Sequence, residues 1–462
     1  MDLTDMGLAL EFRDAARQTM RHCDTLDSWF VWTSNRWRRD EDQTRYRLVK
    51  SMVQSIKDRI DEIDDDDARK TTLKQWRGRR SYAKLTALLQ TLASEPGIST
   101  HTSDWDRDPY ELQTPDGIIN LRDGSLRPAT PDDLLRRCTA VAPDETVTPT
   151  RWLQFLDEIT CGRKDLVAYL RAAIGMTLIG VQRDQVILLC SGIGSNGKSK
   201  LIETLVEMLG DYAGVAMPNL LSARSQEAHP TELMQLEGKR LVYCDEVKDN
   251  RLDESKVKRM TGGRQLTARG ISQDPRTFDV QFTVWADCNE KPTITGTDDG
   301  IWRRIRLVPF EAQFRDGNRD PDLGAKLRAE LPGILAWSVR AAVDYLSSGL
   351  PACLKVEAST QTYRHEQDVM LEFLDTCCHI DPDKTVNSSD MYAAVSAYLE
   401  TIGFRPWSKR RVTSQLTKRG TIETLKGTRG VRMLRGVGLR HDWRTVLGLS
   451  EPKDYDRRNW MD

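Results

Sequence analysis

A glycine-rich loop with one lysine is the segment of this chain best suited to chemistry. It follows an apolar run, Val186 to Cys190, and precedes a helix-like segment. Glycines let backbone N–H groups turn inward around phosphates, and a helix N-terminus attracts negative charge. We therefore predict ATP and Mg²⁺ binding, with a plain glycine-rich turn as the alternative. The binding residues are Gly192, Gly194, Ser195, Asn196, Gly197, Lys198, which would neutralise phosphate oxygens, and Ser199, which would ligate Mg²⁺.

Acidic side chains follow a second buried-strand pattern, Leu241 to Cys244. Asp245 and Glu246 stand where this strand ends, and ligands of parallel α/β sheets bind at that carboxyl edge. We expect Asp245 to hold the Mg²⁺ shell and Glu246 to orient and deprotonate the attacking water, as in hydrolysis rather than transfer to a substrate. Strand-ending acid pairs are common, so this assignment depends on the glycine-rich loop.

A third apolar run, Phe282 to Cys288, ends in Asn289 and is followed at a distance by an arginine pair. The amide of Asn289 can hydrogen-bond both a γ-phosphate and the attacking water. Arg303 and Arg304 are of the type that a ring ATPase inserts into a neighbouring subunit to stabilise charge on the transferred phosphoryl group. We rank Arg304 above Arg303 for this role, with an ordinary basic surface turn as the alternative.

Helix and strand patterns indicate the elements that must position these groups. Apolar residues recur every three or four positions from Arg45 to Gln90, whereas glycine turns bracket a short apolar run, Ile118 to Leu121. Met370 to Leu399 again has a helical pattern. We predict an α/β protein with these domains: a mainly helical N-terminal domain over 1–150, an ATPase domain over 151–345, a helical linker and basic module over 346–440, and a tail over 441–462.

Two further clusters in the first domain have structural interpretations. The aromatic group Trp29, Phe30, Trp32 and Trp37 could stack on nucleic-acid bases, but an aromatic cluster in a globular region is more often core. The acidic run Asp64 to Asp67 is typical of a solvated loop or helix end. We assign neither cluster a function.

Charge is balanced over the whole chain and concentrated in one segment. With 68 basic and 69 acidic side chains, the chain as a whole has no attraction for an anionic polymer. Phe404 to Arg440, however, contains eleven Lys or Arg and the single acid Glu423. Helices followed by glycines between short apolar pairs favour a winged-helix module, with a solvated basic face as the alternative. The predicted DNA contacts there are Arg410, Arg411, Lys418 and Arg419.

Cysteine and apolar patterns exclude several other classes of protein. None of the nine cysteines forms a CxxC pair, so neither a zinc ribbon nor a disulfide framework is indicated. The first thirty residues mix charged and apolar side chains, and no window approaches the roughly 18 apolar residues of a membrane span. We expect a reduced, cytoplasmic protein with no membrane partner.

The order of these motifs resembles that of superfamily 3 helicases, and in particular the phage and plasmid primase-helicase family that includes the poxvirus primase-helicase. Members carry a Gly-x-Gly-x-Asn-Gly-Lys-Ser loop, and a Trp-Arg-Arg before a Pro-Phe, here Trp302-Arg303-Arg304 and Pro309-Phe310. Upstream, Asp108-Pro109 and the stretch Asp116 to Gly124 are similar to the N-terminal helicase-associated domain of that family. The resemblance covers roughly residues 20–345.

This resemblance implies an AAA+-like P-loop NTPase fold and a homo-hexameric ring with ATP between subunits. It also implies 3′-to-5′ movement along single-stranded DNA, with forked DNA as a partner. The family usually offers a lysine to DNA at the tip of a hairpin in the ring channel. Here the tip falls near Ser272-Gln273-Asp274, so we assign the contacts to flanking Arg269 and Arg276 or to Gln273.

We therefore predict an ATP-dependent DNA helicase for replication of a phage, prophage, satellite or plasmid in the cytoplasm of a bacterial host. Fused family members place a primase before the helicase, but residues 1–150 offer neither the length nor a zinc-ligand cluster for one. We expect a separate primase or polymerase, together with other replication proteins, to act with this chain. The alternative is an ATP-switched origin-binding initiator or loader that does not unwind DNA by itself.

Overall fold

A computed structural model describes most of the chain: residues 2–216, 220–223, 230–245, 251–263, 265–270, 275–294, 299–315, 319–418, 420–427 and 431–449. Two compact units are distinguished by their internal contacts. The first is Met1–Thr293 with Asp298–Thr360, and the second is Ile294–Thr297 with Gln361–Asp462. Among the described helices, none combines the length and apolarity needed to cross a membrane.

The first unit begins with four helices and a small sheet. These elements are α1 Asp5–Thr19, β1 Met20–Cys23, β2 Ser28–Trp32, β3 Trp37–Arg39, α2 Thr44–Asp61, α3 Asp66–Arg79, α4 Tyr82–Ala93 and β4 Ser99–Thr100. α2, α3 and α4 arise where the pattern over Arg45 to Gln90 predicted helices, whereas α1 lies outside that stretch. α2 buries one apolar stripe, Val49, Val53, Ile56 and Ile60. The sheet, in the order β3-β2-β1-β4, was not predicted.

Part of the aromatic cluster forms the core beside this sheet. Trp37 is fully buried, and its ring meets that of Trp105 edge-on at a centroid distance of 5.9 Å. Phe30 lies 4.8 Å from the same Trp105 ring. Trp29 and Trp32 are only partly buried, and each packs against a core cluster. The structural interpretation of the cluster is thus confirmed for its central members.

A three-stranded sheet joins this region to the rest of the unit. It consists of β5 Glu111–Thr114, β6 Gly117–Asn120 and β7 Leu126–Arg127, all antiparallel. The guanidinium of Arg240 donates to the carbonyl oxygens of Pro109 at 2.5 Å and Glu111 at 3.3 Å. Because Arg240 immediately precedes a strand of the larger sheet, these bonds fix the small sheet to the α/β part of the unit.

The remainder of the first unit is built around a parallel sheet. In chain order it contains α5 Thr150–Ile159, α6 Lys164–Leu178, β8 Ile187–Ser191, α7 Lys198–Leu209, β9 Ala213–Val215, α8 Pro230–Met234, β10 Leu241–Cys244, α9 Glu254–Gly262, β11 Gln265–Arg269, β12 Pro275–Asp279, β13 Thr283–Cys288, α10 Asp299–Trp302, β14 Ile305–Pro309, α11 Leu323–Ala329 and α12 Leu331–Ser348.

Five of these strands form one sheet in the order β14-β8-β13-β10-β9, with every pairing parallel. Each residue of the central strand β13 is buried, as expected for a parallel sheet covered on both faces. The buried indole of Trp285 on β13 donates to the hydroxyl of Thr177 on α6 at 2.9 Å. The mixed α/β class predicted from the sequence is confirmed.

The second unit contains a separate core and an antiparallel sheet. α13 Leu354–Glu366 leads into α14 Val369–Cys377, β15 Cys378–Asn387, α15 Ser388–Thr401, α16 Lys409–Thr417, β16 Glu423–Lys426, β17 Arg432–Leu439 and α17 Trp443–Val446. The strand order is β15-β17-β16. The helical prediction over Met370 to Leu399 is wrong in its middle, because β15 pairs with the distant β17. Pro382 stands at the register shift of this pairing, where a strand tolerates proline.

The packing of α6 on α12 gives a test of the fold. A Cβ at Gly175 would lie 2.4 Å from the backbone of Ala341, so Gly175→Ala should destabilise the chain by about 1–3 kcal/mol. In the matched control Gly78→Ala, on α3, a Cβ meets no described atom within 4 Å, and stability should rise by about 0.5–1 kcal/mol. Denaturant unfolding measures the free energy of unfolding of both variants. Equal changes in the two variants would contradict the packing of α6 on α12.

Candidate nucleotide site

Strand order brings the predicted site residues to one edge of the parallel sheet. β13 lies between β8 and β10, with Cys288 paired with Ser191 and Ala286 paired with Cys244. The glycine-rich loop leaves β8 at this edge, while Asn289 and Asp245 directly follow β13 and β10. Residues far apart in the sequence therefore meet where parallel sheets bind ligands.

Two glycines of the loop have no room for a side chain. A Cβ at Gly192 would lie 2.3 Å from the carbonyl oxygen of Phe310, and one at Gly197 would lie 2.4 Å from Cγ2 of Ile159. Gly197 also has a φ of 88°, in the left-handed region. At Gly194, by contrast, no described atom lies within 4 Å of an added Cβ. The loop is thus packed against its own protein at both ends and open in the middle.

Ser195 and Asn196 hold the open part of the loop in place. The carbonyl oxygen of Ser195, which has a φ of 58°, accepts a hydrogen bond from the backbone N–H of Phe314 at 2.8 Å. The buried amide of Asn196 donates at 3.4 Å to the carbonyl oxygens of Ile193 and Phe310. Asn196 therefore stabilises the conformation of the loop.

Lys198 is buried at the start of α7, with 2% of the residue exposed. Its ammonium donates to the carbonyl oxygen of Gly192 at 2.6 Å and to Oδ1 of Asn289 at 3.3 Å. The same nitrogen lies 3.5 Å from Oδ1 of Asp287. The hydroxyl of the next residue, Ser199, donates to Oδ2 of Asp287 at 2.8 Å. The sequence prediction placed Lys198, Ser199 and Asn289 together, and the structure brings them together.

Asp287 is a site residue that the sequence reasoning missed. It stands on β13, one position before the end of the strand, and 8% of it is exposed. The available signal was a carboxylate inside an otherwise apolar strand, because a buried acid requires partners. Asn289, two positions later in the chain, drew the prediction to the residue beyond the strand end.

Asp245 lies at the exposed end of β10. Its Oδ1 accepts a hydrogen bond from the hydroxyl of Tyr243 at 3.3 Å. Burial raises the pKa of Tyr243, and the carboxylates of Asp287 and Asp245 raise it further. Tyr243 therefore remains a protonated donor at neutral pH and orients the Asp245 carboxylate.

These groups line a cleft of about 1040 Å³, of the size of a small-molecule site. Other lining residues come from α5 and from the segment around α11, including Arg151, Phe155, Asp320 and Lys326. The cleft therefore combines a glycine-rich loop and its lysine with carboxylates, apolar side chains and further charged side chains.

The donor set suits Mg²⁺ delivered together with a polyphosphate. Mg²⁺ is bound by one or two carboxylates with substrate phosphates, rather than by an all-protein cage. Ser199, Asp245 and Asp287 supply one hydroxyl and two carboxylates, and Oδ1 of Asp287 has no hydrogen-bond partner among the described residues. No cluster of three or more His, Cys, Asp or Glu able to hold a metal ion occurs in the described chain.

The arginine pair lies at the opposite edge of the sheet. Arg303 and Arg304 precede β14, whose first residue, Ile305, pairs with Ile187 at the start of β8. Arg304 is 9% exposed and donates to the carbonyl oxygen of Gly300 at 2.6 Å. Arg303 is exposed. Of the two, Arg303 is therefore the accessible arginine, whereas the sequence-based ranking favoured Arg304.

The antiparallel hairpin β11–β12 carries two of the predicted DNA contacts. Arg269 is exposed at the end of β11. Arg276 on β12 is largely buried, and its guanidinium lies 3.3 Å from the carboxylate of Glu237. Arg276 is therefore engaged within the protein, and Arg269 is the last residue of β11. Gln273 lies outside the described residues, as do Glu246 and Arg419.

Basic side chains of the second unit are exposed on and after α16. The Ser408 hydroxyl caps this helix by accepting from the N–H of Arg411 at 3.3 Å. The guanidinium of Arg411 lies over the Trp407 ring, 4.1 Å from its centroid. Arg410 and Lys418 are exposed, and Val412 on the other face is buried. The amphipathic pattern thus turns the apolar side inward and the arginines outward.

Comparison with known proteins gives two family matches and several viral relatives. Residues 9–161 match the family described as D5 N terminal like, and residues 190–304 match a family of unknown function. The putative helicase L207/L206 of Acanthamoeba polyphaga mimivirus is 28% identical over 338 residues, 67% of this chain and 34% of that protein. The putative primase C962R of African swine fever virus (isolate Warthog/Namibia/Wart80/1980) is 25% identical over 308 residues, which are 61% of this chain and 31% of that protein.

Solved structures share the fold. The A form apo structure of the NrS-1 C terminal region has a TM-score of 0.50 and 11% identity, covering 94% of this chain and 100% of that one. A second A form apo structure of this region, residues 305–718, has a TM-score of 0.51 and 11% identity, and the match covers 95% of this chain and 100% of that one. At this identity the likeness concerns the fold alone.

The relatives are considerably longer than this chain. Putative helicase 022R of Frog virus 3 is 29% identical over 279 residues, which are 54% of this chain and 26% of that protein. The chain thus spans about a quarter to a third of the curated relatives that it matches. The D5-type match, the second family match and relatives named as helicases and primases together support a D5-like, primase-helicase-like family.

Proposed function

We propose that this chain is an ATP-dependent DNA helicase of superfamily 3 with an AAA+-like P-loop core. The observation that carries the proposal is the buried Lys198 ammonium, held at the carboxyl edge of the parallel sheet beside Ser199 and Asn289. A buried cation at the head of an open cleft is suited to a polyphosphate, since phosphate oxygens can replace its present acceptors.

Each residue of the site has a role in hydrolysis. The backbone N–H groups of the loop and Lys198 bind the phosphates, and Asn289 senses the γ-phosphate and the attacking water. Ser199 and Asp245 would hold Mg²⁺, which supplies charge neutralisation on the phosphates when bound. Glu246, directly after Asp245, is our candidate for the base that takes the proton of the attacking water.

Hydrolysis in this proposal requires a second copy of the chain. The five residues of β14 span roughly 17 Å, and this length separates Arg303 from the edge that carries the loop. Arg303 therefore does not reach the cleft of its own subunit. In a hexameric ring it would lie at the cleft of the neighbour, where a guanidinium stabilises charge on the transferred phosphoryl group.

DNA would be held at two places. The hairpin β11–β12 presents Arg269 toward its tip, as expected of a segment that contacts a strand in the ring channel. The second unit has the element order helix, strand, two helices and a two-stranded hairpin, which is typical of a winged helix. Its exposed basic residues, Arg410, Arg411 and Lys418, would contact duplex DNA, and Arg419 is assigned with them.

The alternative function, an initiator or loader that binds ATP and DNA without unwinding, has one observation in its favour. Arg276, one of the two arginines predicted to contact DNA from the hairpin, is paired with Glu237 inside the protein. A hairpin with a weak hold on DNA suits a protein that assembles on DNA without translocating. In both functions the chain acts with a separate primase or polymerase, and its action in a bacterial cytoplasm stays a prediction.

Replacement of the buried lysine tests the ATPase. Lys198→Ala should reduce DNA-stimulated ATP hydrolysis at least 100-fold, because the phosphates lose their buried counter-charge. Unwinding of forked DNA should disappear with it. The control Lys164→Ala, at an exposed position at the start of α6, should retain both activities. Hydrolysis by the wild type without strand separation would favour the initiator, and no hydrolysis in the presence of DNA would exclude both functions.

Mixing experiments test the arginine pair. Arg303→Ala subunits mixed with wild type should lower ATPase activity more than in proportion, because each altered subunit disables the cleft of a neighbour. Arg304→Ala should lower the free energy of unfolding by about 2–3 kcal/mol, because the carbonyl oxygen of Gly300 loses its charged hydrogen-bond donor. A linear dose response for Arg303→Ala would argue against action between subunits.

Salt dependence tests the basic face of the second unit. The double variant Arg410→Ala/Lys418→Ala should bind duplex DNA more weakly. The negative slope of log affinity against log salt should become shallower by roughly 2, about 0.9 for each lost phosphate contact. Lys70→Ala/Lys74→Ala, which removes two exposed charges on α3, is the control. An unchanged slope in the first variant would place the DNA contacts elsewhere.

A further inference from the structure

The acid on β13 contacts the site at two points and has no part in the mechanism above. Oδ2 of Asp287 accepts the Ser199 hydroxyl at 2.8 Å, and Oδ1 lies 3.5 Å from the Lys198 ammonium. Asp287 thus contacts both side chains that the proposed function assigns to phosphate and cation. No hydrogen bond from any described residue reaches Oδ1, although the residue is 92% buried.

Burial strengthens the electrostatic effect of the Asp287 carboxylate on nearby charges. A carboxylate that water cannot surround is screened little, so it acts strongly on any charge a few ångströms away. Asp245, the carboxylate that directly follows β10, is exposed and is therefore screened by solvent. Of the two carboxylates, Asp287 has the larger influence on what enters the cleft.

The charge has opposite effects on two forms of a nucleotide. A polyphosphate without a divalent cation would bring several negative charges beside Asp287 and would also draw Lys198 away from it. The first change places like charges close together, the second leaves a buried carboxylate unpaired, and both are costly. A polyphosphate that carries a divalent cation brings a positive charge to the same place, next to the Ser199 hydroxyl.

We propose that Asp287 makes nucleotide binding at this site depend on a divalent cation, by rejecting metal-free nucleotide. The inference relies on the proposed nucleotide site but not on helicase activity. Asp287 is a positioning residue. By accepting a hydrogen bond from the Ser199 hydroxyl, it leaves the lone pairs of that oxygen available to a cation, and it holds Lys198 until phosphate arrives.

Binding of a fluorescent ADP derivative tests this role without hydrolysis. The dissociation constant of methylanthraniloyl-ADP is measured for the full chain, once in EDTA and once in saturating MgCl₂. Wild type should bind far more weakly in EDTA. Asp287→Asn, which keeps the shape and removes the charge, should bind about tenfold more tightly in EDTA, so the ratio of the two constants should fall at least about tenfold.

The matched control is Asp184→Asn. Asp184 is an exposed acid before β8, at the opposite edge of the sheet, where it accepts a hydrogen bond from the Tyr345 hydroxyl. The same change of charge there should leave both dissociation constants within about twofold, because the site lies about a strand length away.

The outcomes separate this proposal from the proposed function. An unchanged ratio in Asp287→Asn, or equal weakening with and without Mg²⁺, would overturn the role of Asp287 while leaving the nucleotide site in place. Failure of the wild type to bind nucleotide in either buffer would overturn both. If thermal unfolding shows that Asp287→Asn does not fold, Asp287→Ser carries the same prediction, because it also removes the charge.

Discussion

The buried ammonium of Lys198 is the constraint on which the rest of the site depends. A charge removed from water is tolerated only where several acceptors surround it. Here the acceptors come from the end of β8 and from β13, namely Gly192, Asn289 and Asp287. Their convergence requires β13 beside β8 in a parallel sheet. The glycine-rich loop from β8 to α7 packs so closely that side chains are excluded at Gly192 and Gly197.

In the proposed function, the same sheet explains why a second subunit is needed. Polar groups for phosphate lie at its carboxyl edge, and Arg303 lies at the other edge. Neither edge alone holds everything that phosphoryl transfer requires, since the transition state needs cationic stabilisation of the transferred group as well as orientation of the attacking water. In the proposed ring, Arg303 of one subunit would lie at the phosphate-binding edge of the next. Hydrolysis in one subunit would then depend on its neighbour.

Sequence reasoning located the short segments whose structure follows from a local pattern. The glycine-rich loop, the strand that precedes it and Asn289 at a strand end are local patterns. It failed where a distant partner decides the outcome. The middle of Met370 to Leu399 is a strand because β17, some fifty residues later, pairs with it. The Arg303 and Arg304 ranking and the role of Asp287 depend on burial, which neighbouring residues in the sequence do not reveal.

Assembly is the most direct test of the central claim that the hydrolysis site is shared between subunits. The native mass of the full chain should be measured with and without forked DNA and a slowly hydrolysed ATP analogue in Mg²⁺. With both ligands, six copies of the 52.7 kDa chain in one particle are expected. A particle that remains a monomer under those conditions, in a preparation that hydrolyses ATP when DNA is present, would contradict a site completed by Arg303 of a neighbour.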